Sequence, residues 1–148
     1  MKFRELVVLI VEDDPDDLEL TLHTFGEARI TNPIEVARDG QEALDYVFCQ
    51  GAHSGREPIP PRLILLDLML PKIGGIEVLR AIKADPRTKS IPVVILTSSR
   101  EERDRIEGYQ LGANSYISKS VDLAQFRKVV SDLGYYWLVV NQSTATTD

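Results

Sequence analysis

Four places in the chain put a chemically capable side chain directly after an apolar run. Asp67 follows Leu63 to Leu66. Glu12, Asp13 and Asp14 follow the run that ends at Val11. Thr97 closes the run that begins at Val93, and Lys119 closes the short segment from Ser115 to Ser118. Taken singly, each has an ordinary reading. Acids after strands cap helices or sit in solvated loops, the acidic stretch Glu12 to Asp17 looks like a capped helix start, and one threonine or one lysine carries no chemical information. Taken together they match one chemistry. Clustered carboxylates repel and raise each other's pKa, and a divalent cation resolves the conflict. Mg²⁺ takes oxygen ligands from one or two carboxylates together with water and phosphate oxygens. A cation and an ammonium beside a carboxylate make a seat for a phosphoryl group, and the carboxylate can itself be the nucleophile that forms an aspartyl phosphate. Phosphoryl transfer needs mainly positioning and charge neutralisation. A Thr97 hydroxyl and a Lys119 ammonium are suited to hold the phosphoryl oxygens.

Such a convergence needs a scaffold that brings four distant positions to one rim. "ELVVLIV" (Glu5 to Val11) is a continuous β-branched run and reads as a buried strand. Short strands are predicted also at Ile34 to Ala37, Leu63 to Leu66, "IPVVILTSS" and within "SYISKS". Helical spacing lies between them. Leu18, Leu22 and Phe25 define the first helix, with Asp14 or Asp16 as cap and Pro15 near its first turn. Ala43, Leu44, Val47 and Phe48 define the second, and Ile76, Leu79 and Ile82 the third, which stops before Pro86. "EERDRIEGYQLGA" is a more polar fourth helix, and "DLAQFRKVVSDLGYYWLVV" a fifth. "CQGAHSGREPIPP" is a loop rich in glycine and proline. Five strands alternating with five helices predict a doubly wound α/β fold: a parallel sheet in the order 2-1-3-4-5, helices on both faces, right-handed crossovers. In this flavodoxin-like arrangement the site lies past the carboxyl ends of the strands at the switch point, which is where Asp67, Glu12, Asp13, Thr97 and Lys119 fall.

Composition narrows the function. The 148 residues predict one domain over 1–140 with a polar tail at 141–148. With 17 Lys+Arg against 23 Asp+Glu the net charge is -6, which argues against nucleic-acid binding. No apolar run reaches the ~18 residues of a membrane span, and the N-terminus lacks a signal cleavage pattern. One cysteine, Cys49, precludes an internal disulfide, so a cytoplasmic location is expected. Cys49 reads as a half-buried hydrophobe at a helix end, His23 as a surface residue, His53 as a loop residue with no partner, and Met69 as a rim residue shielding the site.

"LIVEDDP", "LILLDLMLP", "GGIEVLRAIK", "IPVVILTSS" and "SYISKS" resemble, in order and over nearly the whole length, the landmarks of the receiver domain of two-component response regulators. The resemblance implies that Asp67 is the phosphoacceptor. Glu12, Asp13, Asp67 and the backbone carbonyl of Met69 would hold Mg²⁺ or Mn²⁺. Thr97 would be the switch hydroxyl, with Ser98 beside it, Lys119 the phosphoryl-binding lysine and Tyr116 the aromatic switch. It implies a sensor histidine kinase as partner. The proline-rich loop before the third strand and the aromatic "GYYWLVVN" end resemble the phytochrome-associated single-domain regulators of bacteria, with a non-phytochrome kinase or phosphorelay as the alternative. Two positions depart from the family pattern. Ser120 stands where proline usually follows the lysine, and without proline a cis bond costs about 3–4 kcal/mol; Ser98 stands where Ala or Gly is common.

Two other classes fit the residues less well. An aspartyl-phosphate phosphohydrolase resembling the haloacid dehalogenase family would carry a second aspartate two residues after the first, where this chain has Met69. A degenerate receiver would lack one of the key residue types, and all are present. The 29 residues after Lys119 leave no expected room for a DNA-binding effector, so output through a protein contact is expected. "YYWLVV" suggests a homodimer through Tyr135, Tyr136, Trp137 and Leu138. A helix turns about half of six consecutive residues inward, leaving about 450 Å² of apolar surface at about 150 Å² per residue, near the upper limit for a monomer. The alternative is that this segment closes the chain's own core.

Overall fold

The computed structural model describes residues 7–98 and 101–119, and, of the segment that follows, 124–125, 127–128 and 131–132. Five strands run β1 (Val8–Val11), β2 (Ile34–Ala37), β3 (Leu63–Leu66), β4 (Val93–Thr97) and β5 (Ser115–Ser118). They form one parallel sheet in the order β2-β1-β3-β4-β5, as the alternating pattern predicts. Between them lie α1 (Pro15–Glu27), α2 (Gly40–Val47), α3 (Gly75–Ala84) and α4 (Glu102–Gln110). The six described residues between 124 and 132 are helical. Arg127 among them lies 3.9 Å from Glu27 at the end of α1.

Strands β1, β3 and β4 are buried along their whole length without alternation because both faces are covered. Leu9, Val11, Ile64, Leu66, Val93 and Ile95 pack with Ala43, Val47, Val78, Leu79 and Ile82 of α2 and α3. Their neighbours Val8, Ile10, Leu63, Leu65, Val94 and Leu96 pack on the other face with Leu18 and Phe25 of α1. The edge strands β2 and β5 are less buried than β1, β3 and β4. One inward expectation is corrected. Leu22 is exposed because α1 covers the sheet with Leu18, Thr21 and Phe25, while Tyr46 is buried on α2.

The starts of α1 and α2 are fixed by aspartates. Asp14 caps α1, accepting from the amides of Asp16 (2.8 Å) and Asp17 (3.2 Å), with Pro15 in the first turn. Asp39 caps α2 through the Glu42 amide at 2.7 Å, and Glu42 accepts in return from the Arg38 amide.

At the amino ends of the strands the loop after α2 folds around one arginine. The Arg56 guanidinium stacks on the Tyr46 ring, 4.0 Å from its centroid. It donates twice to the Tyr46 carbonyl (3.0 and 2.7 Å) and once to the Ile59 carbonyl (2.9 Å). His53, expected to stand alone, packs edge-on against Tyr46 with centroids 5.2 Å apart. Cys49 at the end of α2 is half-buried, as expected, and adopts a left-handed φ of 54°.

Candidate functional site

Three of the expected site residues are held by the ladders they terminate. The Glu12 amide donates to the Ala37 carbonyl (2.9 Å), the Asp67 amide to Val11 (3.1 Å) and the Lys119 amide to Thr97 (2.8 Å). The side chains past the strand ends are therefore placed by backbone bonds to the neighbouring strand. The loop from Asp67 to α3 is pressed against the sheet by a glycine. A Cβ at Gly75 would stand 2.3 Å from the Asp67 carbonyl oxygen and 2.5 Å from the Leu68 Cα. The Gly75 amide instead donates to Leu68 at 3.0 Å. The Met69 amide donates to Asp67 Oδ1 at 3.1 Å, which fixes the carboxylate from its own loop.

Three acids meet one ammonium. Lys119 Nζ donates to Glu12 Oε1, to Asp17 Oδ2 at 2.9 Å and to Asp67 Oδ2 at 3.1 Å. The side chains of Lys119, Glu12 and Asp67 are 8%, 5% and 6% exposed, whereas Asp17 is 38% exposed. Burial pushes the Glu12 carboxyl up to about 7; Lys119 pulls it back and Asp67 adds to the rise. Burial also works against the Lys119 ammonium, but its bonds to Glu12 and Asp17 and the charges of Asp67 and Glu12 outweigh it and hold its pKa above the ordinary value. A single monovalent cation thus leaves the cluster short of positive charge.

The same acids suit a divalent ion. One carboxylate oxygen from each of Glu12, Asp13 and Asp67 lies within 4.8 Å of the others, with Asp13 facing solvent. An all-oxygen set, two members of it buried and one of those carrying a raised pKa, fits a hard cation such as Mg²⁺ or Mn²⁺.

The remaining expected residues lie on, or directly after, β4 and β5. Thr97 is fully buried at the end of β4, opposite Ser118 in register. Ser98 donates to the Met69 sulfur at 3.4 Å, and Met69 is 60% exposed at the rim. Tyr116 is half-buried on β5, opposite Ile95. It sits under α4 where Gly108 leaves room: a Cβ there would be 2.7 Å from Ile95 Cδ1 and 3.7 Å from the Tyr116 ring. The bond from Lys119 to Ser120, the candidate dimer residues Tyr135, Tyr136, Trp137 and Leu138, and the boundary at residue 140 lie outside the described residues. Asp17 was read as part of a helix start and not as a site residue. The available signal was its spacing: four residues after Asp13, it returns on the first turn of α1 to the same rim.

The family description "Response regulator receiver domain" matches residues 8–131. The response regulator Rcp1 of Synechocystis is 40% identical over 132 residues, 89% of this chain and 88% of Rcp1. The crystal structure of its Mn²⁺-bound form superposes with a TM-score of 0.86 over 93% of this chain and 97% of that one. The phosphorylated cyanobacterial phytochrome response regulator RcpA superposes with a TM-score of 0.85 at 37% identity, over 93% and 96% of the two chains. The probable methanogenesis regulatory protein FilR2 of Methanothrix harundinacea is 39% identical over 93% of this chain and 86% of its own.

Proposed function

Because the chain belongs to the response regulator receiver domain family, we propose that Asp67 is its phosphoacceptor and that a sensor histidine kinase is the donor. The observation that carries this reading is the meeting of the buried Asp67 carboxylate, the Lys119 ammonium and the Glu12–Asp13 pair at one strand-end rim. In the transfer, an Asp67 carboxylate oxygen attacks the phosphorus of a phosphohistidine. The P–N bond breaks, the imidazole leaves with the electron pair, and an acyl phosphate remains. Glu12, Asp13, Asp67 and the Met69 carbonyl would hold Mg²⁺ or Mn²⁺, which neutralises charge on the phosphoryl oxygens when bound. Lys119 pairs with a phosphoryl oxygen and Thr97 donates its hydroxyl to another; Ser98 adds a second hydroxyl at the rim.

The switch is Thr97 with Tyr116. Their backbones lie on adjacent strands, so a hydroxyl drawn toward the phosphoryl group frees space that the Tyr116 ring enters. The difference in contacts between the two states supplies the bias. Likeness to the phytochrome response regulator RcpA favours a phytochrome-type kinase upstream; the single cysteine favours a cytoplasmic setting, and the apolar run "YYWLVV" favours output through protein contact, including a homodimer through Tyr135 to Leu138. The receiver is a phosphoacceptor that promotes its own phosphorylation and dephosphorylation and is not a turnover enzyme.

Incubation with acetyl phosphate and Mg²⁺ tests the site. The wild-type chain gains one phosphoryl mass and Asp67→Asn gains none; an Asn variant that still takes phosphate sinks the assignment. Asp13→Ala with unchanged Mg²⁺ affinity would remove it from the ligand set. Sedimentation with and without phosphate decides the homodimer, and a strict monomer in both conditions refutes it.

A further inference from the structure

The Lys119 ammonium has three protons and meets three carboxylates, Glu12, Asp17 and Asp67. Two of them also belong to the cluster that suits a divalent ion; Asp17 does not. That difference decides which partner survives when the site is loaded. A cation held by Glu12 and Asp67 draws on the charge that neutralises Lys119 and places two positive charges beside the ammonium. In so dry a site the repulsion is poorly screened. Phosphorylation then removes Asp67 a second time, because one of its oxygens becomes the bridge of the acyl phosphate. Asp17 remains.

We propose that Asp17 is a positioning residue that holds Lys119 Nζ at the rim while metal and phosphoryl group occupy Glu12 and Asp67. The ammonium stays aimed at the phosphoryl oxygens and does not swing out to solvent. The inference rests on Asp67 being the phosphoacceptor. The plainer reading of Asp17, an acid favoured by the positive end of α1, does not involve Lys119. Nor does the helix depend on this carboxylate for its hydrogen bonds. The Asp17 amide donates to Asp14 Oδ1 and the Asp17 carbonyl accepts from the Thr21 hydroxyl at 3.0 Å, both through the backbone of residue 17.

The test is the rate of phosphorylation of the full chain by acetyl phosphate at saturating Mg²⁺. Loss of one hydrogen bond to a charged group, discounted for the partial exposure of Asp17, slows Asp17→Ala about tenfold. Asp17→Asn, which keeps an acceptor oxygen, is slowed less. In a Lys119→Met background Asp17→Ala adds less than about twofold, as expected of residues acting through one contact. A wild-type rate in Asp17→Ala, or equal slowing with and without Lys119, overturns the proposal. If the Lys119→Met rate is too slow to time, the ¹⁵N resonance of the Lys119 ammonium decides. With Mg²⁺ bound, its protons exchange slowly in the wild type and fast in Asp17→Ala; equal exchange in both overturns the proposal. A wild-type chain that takes no phosphate would overturn the phosphoacceptor reading instead, and the ammonium resonance in Mg²⁺ alone would still judge Asp17.

Discussion

Lys119 and Arg56 are two cations withdrawn from water at opposite ends of one sheet, and they are held in different ways. Lys119 sits among charges, with three carboxylates around one ammonium. Arg56 sits among neutral acceptors, two backbone carbonyls and an aromatic face. Charges can be redistributed. A divalent ion or a phosphoryl group entering the first cluster changes the pairings of Glu12 and Asp67, because each of those acids has a second possible partner. The carbonyls around Arg56 have no second state to offer. The planar guanidinium with its fixed fork of donors suits such a permanent lock, and the compact ammonium on a flexible stem suits the exchangeable set. The amino end of the sheet is built to stay and the carboxyl end to switch.

The largest way to break this contrast is Lys119→Met. Removing one partner of a buried ionic cluster costs about 3–5 kcal/mol, read as a lower urea midpoint, and Mg²⁺ recovers a substantial part of the loss. Failure of Mg²⁺ to recover any of it would mean that the acids are not exchangeable. Gly75→Ala comes next. Its Cβ meets the Asp67 carbonyl oxygen at 2.3 Å, so the backbone must shift at a cost of about 1–3 kcal/mol. Phosphorylation falls with stability because Asp67 itself is displaced. Arg56→Ala loses hydrogen bonds from a charged donor and a cation–π contact, about 2 kcal/mol. Its signature is the absence of rescue: Mg²⁺ does not restore it beyond its effect on the wild type, and the phosphorylation rate is unchanged. Arg80 sets the baseline. It pairs with Glu77 and Glu107 across α3 and α4 on the exposed surface, where such pairs are weak. Arg80→Ala leaves the urea midpoint unchanged, and a marked drop would show that exposed pairs here rival the buried one.

The sheet was legible because each strand is a short apolar run that punctuation isolates. "IEVA" and "LILL" coincide with β2 and β3. The first strand is trimmed to Val8–Val11 among the described residues. Asp67, Glu12, Asp13, Thr97 and Lys119 were legible because topology, once known, sends every strand's last residue to the same rim. What periodicity could not reach were contacts set by side-chain length and three-dimensional approach. Asp17 and Lys119 are 102 residues apart, and nothing local in "DDPDD" distinguishes an acid that caps the helix, as Asp14 does, from one that reaches across to a lysine. Tyr46 is not among the residues that spacing picks out as inward on α2, and Arg56 and His53 close over it. The hydrophobic pattern gives the face a helix turns inward; it does not say what a neighbouring loop will bury from the other side.

The strand order has a consequence for how the molecule comes into being. β1 lies between β2 and β3, pairing Val8 with both Ile34 and Leu63, so this strand waits for chain synthesised long after it. Non-local parallel pairing of this kind is slow to form. Lys119 arrives last of all, bonding to acids 107, 102 and 52 residues earlier in the chain. During synthesis Glu12, Asp13, Asp17 and Asp67 have all been made before their counter-charge, and domains emerge amino end first. The docking of β5 is then an electrostatic event as well as a hydrophobic one, because it brings the ammonium to acids already in place.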